Sequence, residues 1–141
     1  VGDNADECKK IAVFGGNKWA SVGACGNAND HLFQQTYPIN TWGTSFIHTA
    51  LAGRSSGELV KVVASEDDTE VIVNGTSQGT INSGEWMPLE FGVDQSAKIE
   101  TSKPSSVTVF AKSVSCNQLN APNADFGDPF MITYSPVEQF L

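Results

Sequence analysis

The chain predicts an all-β fold, an antiparallel β-sandwich of about ten short strands, with a closed barrel as the alternative. Three observations carry that expectation. Apolar and polar residues alternate over short stretches, most clearly between Leu59 and Ile81. No run sets apolar residues at the i, i+3, i+4, i+7 spacing that lets a helix bury one face. Turn-forming Gly, Pro, Asn and Asp interrupt the chain roughly every 8 to 12 residues, the spacing of short strands.

Residues 1–9 are polar and read as a lead-in to a single domain over 10–141. Lys10 to Phe14 is a short apolar strand stopped by Gly15-Gly16. Residues 17–30 read as an Asn- and Gly-rich loop carrying Trp19 and Cys25. His31 to Tyr37 is extended and ends at Pro38, and Asn40-Thr41-Trp42-Gly43 is a turn with one large anchor. Ser45 to Leu51 is the next strand, followed by the loop 53–57. In the central stretch Val60, Val62 and Ala64 face one way and Leu59, Lys61, Val63 and Ser65 the other. Glu66-Asp67-Asp68 cannot continue a buried strand and suits a reversal. Val71 and Val73 lead to Asn74-Gly75, which tolerates positive φ and turns the chain again. Two hairpins, a β-meander, are expected there. Met87 to Val93 is a strand whose Pro88 suits an edge. Ala97 to Thr101 alternates and is broken by Lys103-Pro104-Ser105-Ser106. Val107 to Ala111 is a strand with Val107, Val109 and Ala111 on one face. A polar loop then runs through Cys116 to Gly127, and Pro129 to Tyr134 is the last strand, closed by Pro136.

The formal net charge is −8. A surface this acidic repels phosphate backbones and anionic lipid, so neither nucleic acid nor a membrane surface is an expected partner. No apolar run reaches the ~18 residues of a membrane span. The opening residues lack a charged, then apolar leader, so the chain reads as a mature or excised fragment. Charged residues make up only 17%, and Gly, Ser, Thr and Asn are abundant, as is common in extracellular β proteins. The three cysteines, Cys8, Cys25 and Cys116, fit no zinc spacing. They allow one disulfide, in which Cys25 pairs with either Cys8 or Cys116.

Asp67 and Asp68, with Glu66 and Glu70 beside them, and Asp125 and Asp128 form two oxygen-rich turns. Hard oxygen ligands of this kind suit calcium. A solvated turn that blunts a strand edge is the simpler role, so no cofactor is expected unless calcium is bound. His31 and His48 are the only imidazoles; a metal or base role needs partners the sequence does not show, and for His31, beside Asp30, a structural hydrogen-bonding role is expected. No Gly-x-Ser-x-Gly elbow and no phosphate loop is present, and Glu85, Glu90 and Asp94 carry no pairing signature, so no enzyme activity is expected. Trp42 and Trp86 are expected to pack, whereas Trp19 sits in a polar loop where it could stack on a ligand. Asn74-Gly75-Thr76 matches a glycosylation acceptor, although turn chemistry explains it as well.

Two parts of the chain echo each other, 11–39 and 107–137. Ile11-Ala12-Val13-Phe14 leads to Asp30-His31-Leu32-Phe33 and Thr36-Tyr37-Pro38-Ile39. Val107-Thr108-Val109-Phe110 leads to Asp128-Pro129-Phe130-Met131 and Tyr134-Ser135-Pro136-Val137. Each copy is a strand, a loop with a cysteine, an Asp, a second strand and a Pro. The domain would then hold one unit and the closing strands of the next, as modules of larger arrays do.

The run Ile11 to Asn17, then Asp30-His31-Leu32 with Gln35 and Pro38, then Thr41-Trp42-Gly43 and Phe46, resembles the N-terminal domain family of IgG Fc-binding protein. So do Val62 to Ser65 with its acidic turn, Val71-Ile72-Val73-Asn74-Gly75, Ser102-Lys103-Pro104, and Gly127 to Met131 with Pro136, Glu138, Gln139 and Phe140. The likeness is to bacterial surface, adhesin-type members and covers nearly everything from Ile11 to Phe140. It implies an extracellular, non-enzymatic, β-rich binding domain. Family domains are commonly longer and hold two related halves, so this chain corresponds to a later half. Family members often carry a Cys just before the Asp-His-Leu, whereas Cys25 lies five residues before Asp30.

The expected function is that of a secreted or cell-surface adhesion module within a larger protein. Its partners would be a host or matrix glycoprotein, a glycan, or neighbouring domains. The alternatives are a carbohydrate-binding module and a structural spacer in a stalk. The expected contact residues are Asn17, Trp19, Asn27 and Asn29 in the first loop, and Asn117 and Asn123 in the last.

Overall fold

A computed structural model describes residues 10–25, 28–117 and 127–140. Among these, nine strands form: β1 (Phe14–Ala20), β2 (Asp30–Gln35), β3 (Gly43–His48), β4 (Glu58–Ala64), β5 (Thr69–Val73), β6 (Thr76–Ile81), β7 (Trp86–Phe91), β8 (Ala97–Ala111) and β9 (Phe130–Thr133). Three 3-10 turns, at Ile39–Thr41, Val114–Cys116 and Val137–Gln139, are the only helical pieces among the described residues. All pairings are antiparallel. The fold is all-β, as the alternation predicts.

The central stretch is not a meander. The β5–β6 hairpin forms, with Asn74 at φ 49° and Gly75 at φ 79°, the positive pair that a tight two-residue reversal requires. At Glu66-Asp67-Asp68 only Asp68 is left-handed, at φ 54°, and the chain bends there without reversing. Strands β4 and β5 therefore run end to end along one edge of β8: Glu58–Ala64 against Ala111–Ser105, then Val71–Val73 against Thr101–Ile99. The Lys98 and Pro104 carbonyls both point to that edge, receiving Asn74 N and Ser65 N, while the Val107 carbonyl points to the other and receives Tyr134 N. β7 lies outside β4 and β6 outside β5, while β3 and β9 line the opposite edge of β8.

β8 itself runs unbroken for 15 residues through Lys103-Pro104-Ser105-Ser106, where a break was expected. Pro104 lacks an N–H, but its carbonyl still accepts from Ser65 N at 3.2 Å, so the strand bends there and continues. The two bends are sewn together by short polar side chains. Thr101 Oγ1 and Ser105 Oγ donate to the Lys103 carbonyl, Glu70 N donates to Ser102 Oγ, and Ser83 N donates to Asp67 Oδ1.

The seven-stranded sheet thus curls until its halves enclose one core. Residues 97, 99, 101, 105, 107, 109 and 111 of β8 are all buried, so the alternation survives the bend. Val60, Val62, Leu89, Phe91, Val107 and Val109 of one half meet Phe46, Val71, Ile81, Ala97 and Ile99 of the other. Each fully buried Val or Ile side chain contributes about 1.5–3 kcal/mol by leaving water. The last turn closes over β3: Glu138 Oε1 accepts from Thr44 N and Oγ1 at 2.8 and 2.6 Å. Gly43 must be glycine there, since a Cβ would stand 2.3 Å from Pro136.

β1 and β2 form a separate two-stranded ribbon. Its strand begins at Phe14 and runs through Gly15-Gly16, where the sequence suggests a stop, so Asn17 and Trp19 lie on a strand and not in a loop. Gly is permissive of extended backbone, and cross-strand pairing to Gln34 and Phe33 carries it there. A two-stranded ribbon is marginal alone. This one rests on the outer surface of the sheet: Gly15, Gln34, Thr36 and Trp42 face Val63, Ser106, Thr108, Met131 and Thr133 across a crevice of about 230 Å³. Thr133 N donates to Gln34 Oε1 at 2.9 Å.

Candidate binding surface

The ribbon and the sheet are joined at one end by the Cys25–Cys116 disulfide, which closes a separation of 91 residues. Cys8 lies outside the described residues. Val22 and Ser113 lock the same end, with Val22 N donating to Ser113 Oγ at 3.0 Å and Ser113 N to the Val22 carbonyl at 2.8 Å. Gly23, at φ 91°, lets the chain pass directly beneath Cys116 Sγ. The loop after β1 and the start of the loop after β8 are therefore neighbours. These are the two stretches from which the sequence suggests contact residues.

Trp19 is 69% exposed beside this junction. Its backbone N–H donates to Asn17 Oδ1 at 3.0 Å, which fixes the bulge where the β1–β2 register shifts. Asn29 follows the loop and is half-buried. Asn117 is 7% exposed and accepts from Ser55 N at 3.1 Å, so it braces the base of its loop. Asn27 and Asn123 lie outside the described residues.

Arg54 organises the return to β9. Its guanidinium donates to the carbonyls of Lys112, Gly127 and Asp128 at 3.1, 2.6 and 2.8 Å, and stands over the Phe130 ring. The positive charge beside Asp128 is therefore Arg54. At the other acidic turn, Lys103 Nζ donates to the Asp67 carbonyl, and Asp68 N donates to Asn82 Oδ1 at 3.3 Å. Asp125 lies outside the described residues. No group of three or more His, Cys, Asp or Glu stands together as a metal site among the described residues.

One cluster of titratable side chains was not assembled from the sequence. His48, Glu58 and Tyr134 meet at the edge of the core, with the first two 0% and 1% exposed. The Thr49 backbone N–H donates to the Tyr134 hydroxyl, which stands 2.9 Å from His48 Nδ1. On the other side of the ring, His48 Nε2 stands 3.5 Å from Glu58 Oε2. Glu58 Oε1 accepts from Leu51 N at 3.0 Å, and the His48 ring stacks on Phe91. Burial pushes the Glu58 carboxyl up and the His48 imidazole down, and pushes the Tyr134 hydroxyl up to about 12. His48 and Glu58 are sealed from water and Tyr134 is half-buried, and the line braces β3, β4 and the chain after β9. The available signal was alternation: Glu58 shares a face with Val60 and Val62, and His48 with Phe46.

His31, by contrast, is exposed and holds Asp30 through Nδ1 at 2.9 Å. Its backbone N–H, then its ring, pull the Asp30 carboxyl below the usual range. Trp42 Nε1 donates to the Tyr37 carbonyl at 3.1 Å, and the Trp86 ring lies 4.0 Å from Lys61 Nζ.

The scaffold is β-rich, with a disulfide-linked end and an exposed tryptophan. The chain belongs to the family described as IgGFc binding protein, whose family model matches residues 3–141, essentially its whole length. Searches of curated proteins and of solved structures returned no match. Membership in this family points to a binding module. No helix among the described residues is long and apolar enough to cross a membrane.

Proposed function

We propose that this chain is a non-catalytic adhesion module of a larger secreted or cell-surface protein. It attaches to a host or matrix glycoprotein, a glycan or a neighbouring domain through its disulfide-linked end. The observation that supports this most is the Cys25–Cys116 bond, which gathers the two candidate contact loops beside exposed Trp19. Contacts then come from Trp19, from Asn29, and from Asn27 and Asn123 in the loops themselves, with Asn17 setting the Trp19 bulge. A rigid end with one large aromatic costs little side-chain entropy on binding. Family membership supports the binding role over a hydrolytic one.

Exposed Trp19 also favours the narrower reading of a carbohydrate-binding module, since a free aromatic face stacks on sugars. A glycan and extracellular-protein array probed with the purified chain separates these readings. Binding to glycoproteins that survives glycan removal supports protein attachment, and binding to free glycans lost in Trp19→Ala supports sugar recognition. No binding to either, with cooperative folding retained, supports the spacer. A calcium titration of the melting temperature tests the calcium proposal at Asp67, Asp68, Asp125 and Asp128. The Lys103 and Arg54 contacts favour no shift.

A further inference from the structure

The two segments that echo each other in sequence form hairpins that are covered in complementary ways. In the first, Thr36 N donates to the Val13 carbonyl at 2.8 Å; in the second, Tyr134 N donates to the Val107 carbonyl at 2.8 Å. Each donor lies two residues before an extended proline, Pro38 or Pro136, that opens a 3-10 turn. The registers differ by two residues from the sequence echo, so the same faces correspond.

In the second hairpin β4 lies along the far edge of the strand, and Val107 and Val109 are 0% exposed. In the first, no strand among the described residues lies on the far edge of β1, and Ile11 and Val13 are 61% and 54% exposed. The return strands show the opposite. Leu32 of the first is 8% exposed, while Phe130 and Ile132 of the second are 37% and 42% exposed. Gln34 and Thr36 beside Leu32 face the outer surface of the sheet, at Thr108 and Thr133. Each hairpin lacks the cover that the other has.

We propose that the molecule stacks in tandem with units of its own fold. A preceding unit lays a β4-like strand along the open edge of β1 and covers Ile11 and Val13. A following unit presents its outer sheet surface to Phe130 and Ile132. The contact is strand addition, in which ladder hydrogen bonds supply affinity and alternating Val and Ala fill the face, as Val60, Val62 and Ala64 do over β8. A separate folded copy cannot serve, because both edges of its β4 are taken by β7 and β8. The occupant is a unit whose own β8-like strand is β1. This surface is distinct from the disulfide-linked end and does not depend on ligand binding there.

The experiment is a fusion in which a second copy of residues 43–106 replaces residues 1–10 directly ahead of Ile11, so that β1 and β2 complete the added unit. The expected result is one unfolding transition for the whole protein, with exchange of the β1 amides slowed at least roughly tenfold relative to the single chain. An added segment that stays unfolded or melts separately, or β1 amides that exchange as before, overturns the proposal. The single chain gives an independent reading. Ile11→Asn with Val13→Asn is expected to leave its melting temperature within about 2 °C and to abolish the gain in the fusion. A loss in the single chain as large as that of Val109→Asn would mean these residues are already buried there, and overturns the proposal as well.

Discussion

The ribbon β1–β2 and the pair formed by β9 with the second half of β8 start from similar residues and reach opposite environments. Val109 has β4 on one side and β9 on the other, and is sealed from water. Val13 has a partner on one side and is more than half exposed. Alternating apolar residues specify a strand with one greasy face. Whether that face is buried is decided by a second strand that must arrive from elsewhere in the chain.

That contrast can be broken from either side. The largest effect is expected from Cys25→Ser, which frees the ribbon end. Opening a closure of 91 residues should cost about 4–5 kcal/mol on the chain-entropy scale. Urea denaturation with and without reductant reads it, and reductant should change nothing in the variant. Next comes the matched pair Val109→Ala and Val13→Ala. The first should cost about 2 kcal/mol by leaving a cavity, and the second under about 0.5 kcal/mol. Equal losses would mean that the ribbon is buried to the same degree.

The histidines sharpen the comparison, since His31 lies on the ribbon and His48 in the sheet. Burial holds the His48 pKa below its ordinary 6.5. Its contribution to stability is therefore fully present above that value and declines as pH falls through the folded-state pKa. Glu58 runs the other way: its raised pKa favours the folded state below its ordinary 4.5, and that contribution is lost as pH rises through the folded pKa. The His48 loss should therefore set in as pH falls below 6.5, opposed by the Glu58 contribution above pH 4.5. His48→Gln should remove that loss, read as melting temperature against pH. A modest effect is expected from Phe14→Ala, which removes the exposed ring stacked on Phe33 at 5.3 Å. Aromatic pairs contribute about 0.5–1.5 kcal/mol, and this exposed one should fall at the low end. Denaturant midpoints of the variant read it.

Much of the sheet was legible along the chain. Val60, Val62 and Ala64, and Val107, Val109 and Ala111, are buried on the faces that alternation assigns. Asn74-Gly75 turns where positive φ is cheapest. The errors fall where local chemistry is ambiguous. Gly15-Gly16 and Pro104 discourage strands in isolation, yet partners held at fixed distance carry extended backbone through both. The Asp67-Asp68 turn looked like a reversal because Asp suits turns, and nothing local distinguishes a bend from a hairpin. Of the candidate surface, Trp19 was legible as an exposed aromatic, but its seat on a strand was not. The His48–Glu58–Tyr134 brace was missed because its members lie up to 86 residues apart.

By itself the sequence determined which residues are extended, which faces are apolar, where β5 must turn back on β6, and which family the chain resembles. These follow from side-chain alternation and backbone preference, which act over a few residues. The tertiary structure decided that β4 and β5, expected to pair with each other, instead lie end to end along one edge of β8. It also decided that Cys116 is the partner of Cys25, and that a histidine and a glutamate share the core edge. Those outcomes depend on contacts between distant segments, whose pairing is chosen by the shared burial of whole faces and not by any local preference.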